Sequence, residues 1–325
     1  MRAVVCERYG SPEVLHLVDV AKPIPAAHGV LIQVRATTVS SGDWRVRSLE
    51  VPAGFGLITR LVFGFSKPRQ PILGSELAGV VEAVGGEVSR FKVGDPVVAF
   101  SDTAMGCHAE YVCLQEDGLL ALKPSNLSFS EAAALCFGGT TALAFLRKAK
   151  VQPGERVLIN GASGSVGTAA VQLARHLGAE VIGVCSEANL ELVRSLGAGQ
   201  VIDYQQTDFS QNGDTYDVII DTAGTAPFAR SRGCLRPGGR LVLVQAGLAA
   251  MLRSIWQTFS SDKTVIAGPV SVRAGLGQLA ELAEAGVYKP VIDRHYPLDQ
   301  IVAAHRYVDS GRKKGNVVIT LDPQC

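Results

Sequence analysis

The segment from Arg156 to Leu177 constrains this chain more than any other. A β-branched, uncharged run, Arg156–Asn160, leads into Gly161-Ala162-Ser163-Gly164-Ser165-Val166-Gly167, and then directly into the amphipathic stretch Thr168–Leu177. The order is buried strand, glycine-rich turn, helix. In such a turn Gly161 permits the tight bend, Gly164 lets the backbone approach a pyrophosphate, and Gly167 allows the helix to pack closely on the sheet. The start of the helix offers free N–H groups and the positive end of its dipole to phosphate. The spacing therefore predicts a dinucleotide site rather than a turn kept only for packing.

The surrounding texture fits a doubly wound parallel sheet. Strand candidates Arg156–Asn160, Glu180–Val184, Val218–Asp221 and Arg240–Val244 follow in order, and helical patterns at Thr168–Leu177 and Leu190–Leu196 separate the first three. Before them, Ser128-Phe129-Ser130-Glu131 has the form of a capping box ahead of the Ala132–Leu135 run, and Gly138-Gly139 is expected to interrupt that helix. Two further amphipathic patterns, Leu276–Ala285 and Leu298–Val308, precede a last strand at Asn316–Leu321. The first 125 or so residues read differently, as β-rich with turn chemistry. Val30–Val39, Leu77–Val84 and Val97–Phe100 are strand candidates, the last one entered through Val93-Gly94-Asp95-Pro96. Between the first two lies Leu49–Pro71, read as an irregular stretch. It is either a packed surface loop or a wall over an apolar pocket.

Composition excludes several classes. The chain has 325 residues, enough for two domains at roughly 150 each. Its 31 basic and 30 acidic residues leave a net charge of +1, which gives no electrostatic basis for nucleic-acid binding. The seven cysteines form no C-x-x-C, so neither a disulfide framework nor a clustered zinc module is expected. The uncharged stretches Val157–Ala174, Ala132–Leu146 and Leu241–Leu252 are broken by polar residues and glycine, so no membrane helix is expected. The N-terminus lacks the apolar region of a signal peptide, and a cytoplasmic location is the expectation.

The end of the second strand bears on which dinucleotide is bound. A carboxylate there would take the ribose 2′-hydroxyl of NADH and repel a 2′-phosphate. The acidic position falls on Cys185, followed by Ser186 and Asn189, which are candidate donors to a phosphate; Tyr204 lies at the end of the next strand. NADPH is therefore favoured, with NADH possible because Glu187 is acidic and no Arg or Lys stands nearby in sequence. Ser186 also reads as a plain helix cap.

Together, Gly10-Ser11-Pro12-Glu13-Val14-Leu15, Gly74-Ser75-Glu76, Phe91-Lys92-Val93-Gly94-Asp95, Thr141-Ala142, the glycine turn and Ser195-Leu196-Gly197-Ala198 carry a resemblance over nearly the whole chain. The sequence resembles the medium-chain dehydrogenase/reductases, and within them the zinc-free quinone oxidoreductase branch. The resemblance implies a Rossmann dinucleotide-binding domain at 127–272. It implies a chaperonin-10-like β-barrel catalytic domain from 1–126 and 273–325. It also implies that Ser163, Ser165 and Val166 contact the pyrophosphate, with Thr141 and Ala162 among the cofactor-binding residues. Ser186 and Tyr204 would serve the adenosine phosphate, and Asn316 would approach the cofactor from the tail. A Lys is frequent in the family where this chain has Ala188. The resemblance further implies a homodimer formed through the Rossmann domain, in which the strand near Leu241–Val244 pairs across a two-fold axis.

Zinc-dependent relatives carry a Cys just before an early Asp and a His beside the Glu of the Gly-x-Glu motif. Here those places hold Ser40-Ser41-Gly42-Asp43 and Gly74-Ser75-Glu76, and serine is a poor zinc ligand. Cys136, near the third ligand position, reads as a small core residue. No metal is expected. Without a Lewis acid, hydride transfer is easiest to acceptors that delocalise charge themselves. The expected substrate is a small apolar or aromatic carbonyl, a quinone or an α,β-unsaturated ketone. Ser40 and Asp43 are the candidate catalytic groups, although Asp43 reads equally well as holding its own loop. An enoyl-thioester reductase, or a nucleotide-binding structural or regulatory protein with little turnover, is the alternative. Arg147-Lys148 and Arg312-Lys313-Lys314 read as solvated charges.

Overall fold

The computed structural model describes residues 1–272 and 275–321. Cys325 and the join at residue 273 therefore lie outside the described residues. Seven strands come first in the chain: β1 (Arg2–Cys6), β2 (Leu15–Asp19), β3 (Gly29–Thr38), β4 (Glu76–Val84), β5 (Pro96–Phe100), β6 (Tyr111–Gln115) and β7 (Leu120–Leu122). Then come β8 (Arg156–Asn160), β9 (Glu180–Cys185), β10 (Gln200–Asp203), β11 (Tyr216–Asp221), β12 (Leu235–Leu243) and β13 (Thr264–Ala267), and finally β14 (Ile292–Pro297) and β15 (Asn316–Thr320). The helices are α1 (Ser41–Ser48), α2 (Gly56–Phe63), α3 (Phe129–Ala133), α4 (Cys136–Ala149), α5 (Ser165–His176), α6 (Leu190–Ser195), α7 (Phe228–Ser231), α8 (Leu248–Phe259), α9 (Leu276–Glu284) and α10 (Ile301–Asp309).

Two compact units result. The first gathers Met1–Val51, Gly56–Phe137 and the described residues after Val272; the second holds Pro52–Phe55 and Gly138–Val272. The chain crosses between them inside α4, beyond the sequence-based join at 126/127, because α3 packs against β3 and β4 of the first unit.

In the first unit β3 is the organising strand. One of its edges pairs with β4 throughout; β6 pairs with Gly29–Gln33 and β15 with Ala36–Thr38. Sharing a long strand among three partners curls the sheet around a core. That core includes Val30, Ile32 and Val34 of β3, Leu77 and Val81 of β4 and Val97 and Ala99 of β5, alternate residues facing inward as the pleat requires.

The second unit is a six-stranded parallel sheet in the order β10-β9-β8-β11-β12-β13. Its central strands are apolar and buried on both faces: Val157, Leu158, Val218, Ile219 and Leu241 are inaccessible. The order reverses between β8 and β11, so a crevice opens beyond their C-terminal ends.

Four sequence expectations need correction. Leu49–Pro71 contains α2, where Leu57, Ile58, Leu61 and Val62 are exposed. That helix spans only eight residues, too few to show a helical period plainly within an apolar stretch. Gly138 and Gly139 do not interrupt a helix but lie within α4. The break comes one turn earlier, at Ala134-Leu135, and a Cβ on Gly138 would lie 2.6 Å from Ser165 O, so glycine is there for close packing. Leu241–Leu243 belong to β12, which is paired on both edges, by β11 and β13. That stretch has no free edge to offer a second copy. Finally, β13, α8 and β14 lie where the sequence shows no element, whereas β10 ends at Asp203, directly before Tyr204, as expected.

Candidate functional site

In the second unit the glycine turn leaves β8 at its C-terminal end. Gly161 has φ +81°, the left-handed region that glycine adopts without strain, and an added Cβ there would lie 2.6 Å from Thr222 Oγ1. At Gly167 a Cβ would lie 2.1 Å from Gly161 O, which is how α5 folds back tightly over the turn. Gly164 is the N-cap of α5, and nothing lies closer to its Cβ position than Gly161 O at 3.6 Å. No side chain caps α5 and no carboxylate stands in its first turn, so no protein charge offsets the positive end of its dipole there. That cradle suits an anion held by main chain, and the residues fit the diphosphate of a dinucleotide.

Around this turn the structure brings together most of the residues singled out from sequence. Ser163 and Val166 are half-buried on the turn, while Ala162 and Ser165 are buried and line its inside. Asn189, in the one-turn 3₁₀ segment after β9, donates through Nδ2 to Ser163 Oγ at 3.2 Å and to Ser186 Oγ at 3.1 Å. Tyr204 follows β10, the neighbouring strand, and is exposed. Cys185 closes β9 as a buried thiol whose pKa burial pushes up to about 11, so that strand ends without a carboxylate. Thr141 sits on α4, whose Gly138 is pressed against the first residue of α5. Asn316 lies in the other unit, buried at the start of β15, with Nδ2 donating to Val291 O at 3.0 Å.

Sequence reasoning missed the loop after β11. Asp221 Oδ1 accepts from Asn160 Nδ2 at 2.8 Å and from Gly224 N at 2.9 Å, and Oδ2 accepts from Ala226 N at 2.8 Å. A buried carboxylate thus folds residues 222–226 beside the glycine turn. The available signal was an Asp ending a buried strand before Thr222-Ala223-Gly224, the composition of an Asx turn.

In the first unit Ser40 and Asp43 are adjacent at the start of α1. Ser40 Oγ accepts from Gly42 N at 3.1 Å and Asp43 N at 3.2 Å, and its hydroxyl donates to Asp43 Oδ2 at 2.6 Å. Asp43 Oδ2 also accepts from Ser40 N, which completes a capping box. The hydroxyl proton of Ser40 is therefore spent on the cap. Only Asp43 Oδ1, buried and without a hydrogen-bond partner among the described residues, is left over.

Next to them in sequence or space lies a buried polar cluster. Glu76 Oε1 accepts from Thr38 Oγ1 at 2.5 Å and Oε2 from Phe137 N at 2.6 Å. Burial raises its pKa to about 7. Lys313 is not the solvated charge expected from sequence. It is half-buried, Nζ donates to Gly315 O at 2.6 Å, and burial lowers its pKa to about 8. Arg147, Lys148 and Arg312 are exposed, as expected. Cys136 donates to Ala99 O at 3.6 Å, and burial raises its thiol well above the ordinary range.

The family of alcohol dehydrogenase GroES-like domains matches residues 26–124, and that of zinc-binding dehydrogenases matches residues 196–319. Mouse quinone oxidoreductase is 34% identical over 340 residues, spanning 99% of this chain and 98% of that protein. The chain belongs to the medium-chain dehydrogenase/reductases, in their quinone oxidoreductase branch. A 2-methylene-furan-3-one reductase of Solanum lycopersicum is 33% identical over 98% of this chain and 79% of its own length. The Escherichia coli quinone oxidoreductase solved in complex with NADPH superposes with a TM-score of 0.82 at 27% identity, covering 98% of this chain and all of the other. The Rossmann and GroES-like architecture expected from sequence is thereby established, as is membership of an oxidoreductase family. Among the described residues no helix is long and apolar enough to cross a membrane.

Proposed function

We propose that this chain is an NADPH-dependent reductase that delivers hydride to a quinone or an α,β-unsaturated carbonyl without zinc. The observation that carries the reading is the glycine turn with its uncapped α5, which fits the dinucleotide diphosphate. Its relatives' names point the same way. When bound, the nicotinamide supplies the hydride. The chain's own residues hold the phosphates on main-chain amides, fix the flanking loop through Asp221, and keep the ribose end beside Ser186 and Asn189.

The residues at the zinc position do not suit the metal. Ser40 spends its hydroxyl on Asp43, Ser75 offers only a neutral hydroxyl, and Cys136 is a buried thiol held protonated. A polarising ion being absent from the chemistry, the acceptor must delocalise its own charge, which favours quinones and enones over saturated ketones.

We further infer a cytoplasmic protein, which the six described cysteines, all free thiols, support. A dimer built through an edge of the Rossmann sheet would use β10 or β13, its end strands among the described residues, rather than β12. The deciding experiment is oxidation of NADPH and NADH by chelator-treated protein with 1,4-benzoquinone, 9,10-phenanthrenequinone and a simple enone. NADPH-linked turnover is expected. Turnover of a saturated alcohol with NAD, lost on chelation and restored by zinc, would overturn the reading.

A further inference from the structure

This inference rests on the cofactor reading above and concerns the ribose end of that site. An amide nitrogen carries two protons. At Asn189 both are committed, one to Ser163 Oγ and one to Ser186 Oγ. A hydroxyl that accepts through its oxygen keeps its own proton to give away. Ser163 and Ser186 are both half-buried and accessible, and one comes from the glycine turn, the other from the end of β9. Asn189 Oδ1 is buried without a hydrogen-bond partner among the described residues. An acceptor left this way destabilises the site unless a ligand satisfies it.

We propose that Asn189 is the positioning residue of a 2′-phosphate subsite: it holds Ser163 and Ser186 by their lone pairs, aims both hydroxyl protons at one anion, and takes a ribose hydroxyl on its own Oδ1. Asn189 itself does not donate to the phosphate, contrary to the expectation from sequence. The subsite works through neutral donors, since no Arg or Lys side chain among the described residues pairs with these three, and Glu187 beside them is exposed. Its discrimination is accordingly modest, about tenfold, the worth of one or two hydrogen bonds to a charged group.

The test is calorimetric titration of the full chain with adenosine 2′,5′-bisphosphate and with 5′-AMP, which differ only in the 2′-phosphate. Wild type is expected to bind the bisphosphate about tenfold more tightly. Asn189→Ala should remove most of that preference while changing 5′-AMP affinity by less than about threefold. Asn189→Asp would take both serine protons and repel the phosphate, and should reverse the preference. In the Ser163→Ala/Ser186→Ala background, adding Asn189→Ala should cause no further loss of preference, as required of a residue that acts through the two serines. A uniform loss for both ligands in Asn189→Ala, or a further loss of preference in the serine-less background, would overturn the proposal. Equal wild-type affinity for the two ligands would overturn it alone. Failure of wild type to bind either ligand or NADPH would overturn the cofactor reading and this proposal with it.

Discussion

The two ends of the molecule's chemistry are built by opposite means. At the cofactor turn of the second unit, seven consecutive residues supply the cradle, and its tight folding depends on the absence of side chains at Gly161 and Gly167. At the polar cluster of the first unit the working groups come from segments far apart in sequence. Thr38, Glu76 and Phe137 meet through one carboxylate, and Arg47 reaches Gly10, His305 and Asp309 at once. There the side chains are largely consumed in holding the fold. A local main-chain site leaves its donors free for a ligand, whereas a buried side-chain site must satisfy its own members before it can serve one.

The sharpest way to break the contrast is Gly167→Val. A Cβ at this position would lie 2.1 Å from Gly161 O, and neither group is a flexible side-chain end that can move aside. The turn must open, and NADPH affinity should fall by a factor on the order of 100 or more, the cost of losing several charge-assisted amide contacts. Fluorescence titration measures it. Affinity within threefold of wild type would mean that the cradle does not depend on this close packing.

A smaller effect is expected from pH at the polar cluster of the first unit. Glu76 has its pKa raised to about 7 by burial from an ordinary value of 4.5. The folded state therefore holds a proton that the unfolded chain releases between pH 4.5 and 7, and stability contributed by the protonated carboxyl is lost as pH rises through that window. Lys313 behaves in the opposite sense. Burial lowers it from 10.5 to about 8, so the unfolded chain binds more protons between those values and stability recovers as pH rises through them. Urea unfolding should show wild type losing up to about 3 kcal/mol of stability relative to Glu76→Gln as pH rises from 4.5 to 7, with the difference flat above. Lys313→Met should flatten the alkaline limb. Parallel profiles for wild type and Glu76→Gln would show that the carboxyl keeps its ordinary titration.

Legibility followed the same division. The glycine turn, strands β8 and β9 and the capping box at Ser128 were readable because each is specified by neighbours in sequence. The Asn189 bridge was only half readable: the residue was noticed, but which way its amide protons point is set by Ser163, on a different loop. The burial of Lys313 is not visible in a run of three cations, and α2 is too short, at eight residues, to show its period. The pairing of Leu241–Leu243 on both edges depends on β13, which has a short and unremarked sequence.

The smallest effect settles what Ser40 is for. If its hydroxyl serves only the capping box, Ser40→Ala removes acceptors for Gly42 N and Asp43 N and costs about 1 kcal/mol of stability, as helix caps do. Hydride transfer would then change by no more than a few fold, in line with a cap that orders α1 but touches no substrate. Ser40→Thr retains the cap oxygen and should restore most of the stability. The alternative outcome is equally distinct. A fall in kcat of about 100-fold, the usual worth of a proton-transfer group, at unchanged Tm would mean that the Ser40 proton leaves Asp43 when substrate binds. The first unit would then resemble the second in keeping a donor in reserve, and the contrast between the two ends would be one of assembly alone.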